Sequence, residues 1–95
     1  MYYSAVQQEC SDLKDEAGAA SDNHYRAMTN WLTKGRTSAL RRKARSMAEK
    51  YRKALTWLIG CYRRARGQAS QHSLEQAETY RSLLEQDIEI LDSNP

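Results

Sequence analysis

The stretch from Thr37 to Arg66 limits the possible folds most, because it joins an unbroken helical apolar stripe to three basic pairs at one fixed spacing. Leu40, Ala44, Met47, Tyr51, Ala54, Leu58, Tyr62 and Ala65 follow each other at steps of three or four, which keeps one face of an α-helix dry. Thr37 or Ser38 can cap its start. At the other end Arg66 and Gly67 supply the cationic last turn and the left-handed residue that commonly close a helix. A basic helix over 38–66 is therefore expected.

Off the stripe lie Arg41 with Arg42, Arg52 with Lys53, and Arg63 with Arg64, each pair eleven residues after the last. That step is about 16 Å of rise at ~1.5 Å per residue and close to three full turns. The pairs should stack as a ladder along one side, widened by Lys43, Arg45, Lys50 and Arg66. Two readings compete for such a ladder: a solvated face neutralised by acidic neighbours, or a surface for phosphate or for an acidic partner.

Between the second and third pairs, Ala54 to Tyr62 carries no charge, and its apolar members occupy most of the helix circumference. A helix dry on most sides must be covered on most sides. Either two further helices of the chain cover it, or Trp57 and Ile59 belong to an interface with a second molecule, which would be the seam of a homodimer if one forms. Gly60 costs about 1 kcal/mol of helix stability against Ala, which points to close approach by a neighbouring backbone.

Fold class follows from what the chain lacks. Phe is absent, Val and Ile are scarce, and Pro95 is the single proline, so strand-forming runs are missing and the class is all-α. Ninety-five residues suit one domain, 1–95, with one core and no cleft between domains. A first helix over 4–34 is signalled by the Ser4 and Gln7 capping-box spacing, and by Val6, Cys10, Leu13, Ala17, Ala20, His24, Ala27 or Met28, and Trp31 or Leu32. Gly18 and Ser21-Asp22-Asn23 suggest a kink near 18–23, the small run Ala17 to Ala20 admits a close neighbour, and Lys34-Gly35 ends the element. A third helix over 73–92 starts at the Ser73 and Gln76 spacing, with Leu74, Ala77, Tyr80 or Arg81, Leu84, Ile88 and Leu91 in a near-heptad stripe. Short connections make this an antiparallel bundle of three long helices with coiled-coil-like packing.

Charge is segregated along the chain: 1–33 sums to −3, 34–66 to +11 and 67–95 to −5. The acidic flanks cannot cancel the middle, so a positive ridge should survive. The candidate contacts for phosphate or an acidic surface are Arg41, Arg42, Arg45, Arg52, Lys53, Arg63, Arg64 and Arg66, with Trp57 and Ile59 as the apolar anchors.

Catalytic constellations are not recognisable: there are no paired carboxylates on an apolar face, no nucleophile and base at a working spacing, and no glycine-rich phosphate loop. Cys10, Cys61, His24 and His72 lack metal-ligand spacing, so no metal or other cofactor is expected, and His24 on a helix stripe reads as a satisfied structural histidine. The two cysteines, without a Cys-x-x-Cys or a disulfide framework, read as small buried hydrophobes in a reducing compartment, and the fold should ignore chelators and reductants. The absence of a long apolar run, and the start Met-Tyr-Tyr-Ser, favour a cytoplasmic protein.

The expected function is a non-enzymatic binding or regulatory protein whose basic helix docks on nucleic acid or on a nucleic-acid-handling protein. Without a helix-turn-helix, zinc-finger or basic-zipper pattern, nucleic-acid binding would be led by the backbone. Tyr51 and Tyr62, in the core stripe, are poor stacking candidates. The alternative is an adaptor or inhibitor that meets an acidic partner through the Trp57 collar, the basic face being only structural. A helix lying on anionic lipid fits less well, because glycine stops and two partner helices surround it.

Overall fold

The computed structural model describes residues 2–65 and 68–93, with side-chain surroundings described for 10–65 and 71–93. The described residues form three helices, α1 (Tyr2–Thr33), α2 (Ser38–Arg64) and α3 (Gln68–Ser93). Thirty-two residues of α1 rise about 48 Å at ~1.5 Å each, which accounts for the long axis of a molecule measuring 51 × 18 × 15 Å.

Helix α1 stops where the sequence asks it to. Gly35 takes φ 92° and Arg36 φ 53°, so that the Arg36 amide donates back to the Trp31 carbonyl at 3.1 Å and the last carbonyls of α1 are satisfied. Thr37 then caps α2, its Oγ1 accepting from the Leu40 amide at 3.2 Å. The interior of α1 is one continuous helix through Gly18 and Asn23, where Ala17 and Ala20 pack against the core. α1 also begins before Ser4. α3 begins at Gln68, so Ser73 and Gln76 lie inside the helix and do not cap it; Gln68, Ala69 and Gln71 are good helix formers and carry the helix back past them. α2 ends with the Ala65 amide on the Cys61 carbonyl at 3.0 Å, while the expected stop at Arg66 and Gly67 lies outside the described residues.

Successive helices run antiparallel, and α2 packs on both neighbours. No Cα of α1 comes within 8 Å of a Cα of α3 among the described residues, so α2 is the central member and the outer helices meet through side chains alone. The core collects Trp31 and Met28 from α1, Ala44, Ala48, Tyr51, Leu55, Leu58 and Ile59 from α2, and Leu84, Ile88 and Leu91 from α3. Alanines at 44 and 48 let the large Trp31 sink to 1 % exposure. Arg36 stacks over that ring with its guanidinium carbon 5.4 Å from the centroid.

Two cross-links fix the outer helices. His24, fully buried, meets Asp87 with Nε2 and Oδ2 3.0 Å apart, joining α1 to α3, and Tyr25 and Tyr51 flank its ring. Cys10 and Cys61 are joined in a disulfide, their Cα atoms 5.7 Å apart, which pins the first third of α1 to the end of α2. This overturns the reading of the two cysteines as separate reduced hydrophobes. It also removes their support for a reducing location, since such bonds persist in oxidising surroundings. No described helix is long and apolar enough to cross a membrane.

The disulfide closes 51 residues of chain, for which restriction of the unfolded state amounts to about 4 kcal/mol. Reductant, or Cys10→Ser with Cys61→Ser, should lower stability by that order in urea titrations; superimposable curves with and without reductant would contradict it. The His24 bridge makes a separate prediction. Asp87→Ala leaves a buried imidazole without its partner and should cost about 1–3 kcal/mol, measured by the same titration.

Candidate nucleic-acid interface on the central helix

Helix α2 presents four rows to four surroundings because its contacts repeat every seven residues. Leu40, Met47, Ala54 and Cys61 form the row toward α1, anchored by the disulfide. Ala44, Tyr51, Leu55 and Leu58 lie over the core. Arg45, Arg52 and Ile59 form the row toward α3, and Lys43, Lys50, Trp57 and Arg64 point outward, away from both neighbours, and are all exposed. The dry face is thus broader than the expected stripe, having taken in Ala48, Leu55 and Ile59.

The ladder of basic pairs divides between these rows. Arg52 and Arg63, first members of their pairs, turn to α3: Arg52 Nη2 donates to Glu85 at 3.1 Å and its Nε lies 2.7 Å from the same carboxylate, and Arg63 Nη2 donates to Glu78 at 3.4 Å. Arg41 is half-buried in the same direction, its Nε without a hydrogen-bond partner among the described residues. Arg45 is shared between Asp92, 2.8 Å from its Nε, and Glu49 on its own helix. The second members behave differently. Arg42 and Lys53 are exposed on the outward side, with Lys43 and Lys50 beside them, and none of these four has an ion-pair partner among the described residues. Arg64 is exposed on the same side, and Arg66 lies outside the described residues.

Glu49 is the single acid of α2, and it is occupied. Its carboxylate accepts from Arg45 and, at 3.1 Å, from Arg52, and the hydrogen bond from Arg45 holds its carboxyl below the usual carboxylate range. The outward row therefore keeps its positive charge. Amid it stands Trp57, 50 % exposed, with the Lys53 ammonium 5.0 Å from its ring centroid. A shallow depression of about 410 Å³ adjoins the ring, bordered by Glu49, Lys50, Arg52, Lys53 and Thr56.

The two apolar candidates separate. Ile59, 1 % exposed, is a core residue packed in the row toward α3 and is not available to a second molecule. Gly60 has no helix close to it: a methyl there would meet only the Arg64 guanidinium at 3.6 Å, so the expected close backbone approach is not found.

A second concavity, of about 340 Å³, opens on the opposite side, between α1 and α3. Leu55, Leu58, Tyr51 and Tyr62 floor it, and Tyr25 and Tyr80 stand on its walls. Burial raises the Tyr25 pKa, with Tyr51, Asp87 and Tyr80 adding to the effect, so its hydroxyl stays neutral through the physiological range. Sequence periodicity missed this cleft because it depends on the outer helices standing apart. Among the described residues no cluster of three or more His, Cys, Asp or Glu side chains could hold a metal ion, and both sulfurs are committed to the disulfide.

No protein-family model, no characterised protein and no solved structure matches this chain.

Proposed function

We propose that the protein is a non-enzymatic binding module that lays the outward row of α2 along the phosphate backbone of nucleic acid. One observation carries this reading: Arg42, Lys43, Lys50 and Lys53 share one solvent-facing side of a single helix, have no acidic partner among the described residues, and face away from both acidic helices. Cations in that position recruit phosphates and release their counterions, and the twelve residues from Arg42 to Lys53 span about 17 Å of rigid rise. Contacts of this kind hold a backbone without reading sequence. A second reading, favoured by the half-exposed Trp57, is a partner protein with an acidic surface, in the manner of an adaptor or inhibitor. In a cytoplasmic setting Cys10 and Cys61 would be held as thiols, and the stability lost with the disulfide would report the redox state of the surroundings.

Binding of labelled single-stranded and duplex oligonucleotides, followed by anisotropy across a salt series, tests the proposal. Changing Arg42, Lys43, Lys50 and Lys53 together to Gln should lower the slope of log affinity against log salt by about 3 units, given ~0.7–0.9 per phosphate contact. Arg52→Gln with Arg63→Gln should leave the slope near wild type, because those two side chains are engaged by Glu85 and Glu78, and should cost 0 to ~1 kcal/mol of stability per pair. Wild-type protein without salt-sensitive binding to any of these strands near physiological salt would end the proposal. Binding to an acidic polypeptide alone would pass it to the second reading.

A further inference from the structure

Trp57 is at odds with the rest of the molecule's use of aromatic surface. The other tryptophan, Trp31, is buried to 1 %, whereas Trp57 keeps half its surface in water in the middle of the charged outward row. A protein-binding tryptophan normally sits within neutral contacts that exclude water around it. Here Lys53 and Lys50 stand one and two turns before it and border the same depression, and burying those ammonium groups against a protein would carry a heavy desolvation cost. A nucleic-acid strand removes that difficulty. Its phosphates keep the lysines partnered and wet, while an unpaired base has a π-face to offer the indole.

We infer that Trp57, with Lys50 and Lys53, forms a stacking site for an unpaired base, so that the ridge takes single-stranded nucleic acid in preference to duplex. The inference rests on the phosphate-binding reading above and adds the base. The shallow depression beside the ring leaves open surface for a base to approach the indole. The Lys53 ammonium lies over one face of the indole, 5.0 Å from the ring centroid, so a base takes the other face or displaces the ammonium, which then holds a phosphate at the edge of the stack. Glu49 borders the same depression, yet its carboxylate is already bound by Arg45 and Arg52, which limits its repulsion of the strand. Arg42 and Lys43 on one side and Arg64 on the other continue the row, about 21–22 Å and 10–11 Å from Trp57 along the axis. A duplex offers the same phosphates, but its bases are stacked on each other and cannot reach the indole. Exposed aromatics in a basic track are the usual means by which single strands are held without sequence preference.

The two tryptophans supply the assay, because a bound strand can reach only Trp57, and its emission reports stacking. The intact oxidised protein is titrated with three probes: an oligothymidylate of about 12 nucleotides, within the usual site sizes, an abasic strand of the same length and charge, and the corresponding duplex. Oligothymidylate should quench the emission and bind about tenfold more tightly than the abasic strand. Trp57→Ala, at an exposed site where folding should be retained and is checked by thermal melt, should abolish that difference while leaving salt-sensitive binding. Trp57→Phe should restore part of it. Equal, unquenched binding of the thymidylate and abasic strands, or tighter binding of duplex, would refute stacking and leave the phosphate reading in place. No binding of any of the three would remove both.

Discussion

Everything in this molecule depends on one helix being covered from two sides only. α2 carries the longest apolar stretch, Ala54 to Tyr62, and buries most of it between α1 and α3, yet two neighbours cannot enclose a helix whose other neighbours are absent. Because α1 and α3 do not touch at the backbone, the three helices form a layer around α2 with two open sides. One is the tyrosine-floored cleft between the outer helices, the other the outward row of α2. The disulfide ties α1 to α2 and the part-buried His24–Asp87 bridge ties α1 to α3, holding the outer helices to this plan. They act at different levels along the rod, so neither end of α1 relies on side-chain packing alone.

Electrostatics follow the same division. The reading of the basic ladder as a face neutralised by acidic neighbours describes one of its rows, and the other row stands exposed to solvent. A doublet on a helix turns its two members about 100° apart, so the first can face an acidic neighbour while the second faces water. Arg52 and Arg63 are neutralised by Glu85 and Glu78, and Arg45 by Asp92, in pairs too exposed to contribute much stability. Their effect is on alignment: these contacts, with Ile59 in the same row, fix which side of α2 meets α3 and consequently which side is left positive.

Three helices, both ends of the first link and the surviving positive ridge were legible in the sequence because each has a local cause: stripes of period 3.6, Gly35 after a basic turn, Thr37 before Ser38, and segregated charge. What was illegible has non-local causes. Cys10 and Cys61 are 51 residues apart and carry no spacing signal, and only the antiparallel return of α2 along α1 brings them together. Trp57 and Ile59, two positions apart, looked alike as apolar anchors; the position of α3 buries one and leaves the other in water. The Ser73 and Gln76 spacing puts the start of the third helix at Ser73, whereas it starts at Gln68, since Gln and Ala propagate helix well.

The outward row also runs against stability, which bears on why it is there. Like charges on one helix face repel, and half of a tryptophan left in water forgoes burial that would otherwise contribute about 1–2 kcal/mol. Neither cost is forced by the fold: an acid at position 46 or 50 would pair with Arg42 or Lys53, and a polar residue at position 57 would remove exposed aromatic surface without disturbing the core. Surfaces that keep such costs are commonly those a partner relieves. On the proposed reading phosphate would relieve the first and a stacked base the second, and Lys50, Lys53 and Trp57 bring both within two turns of α2.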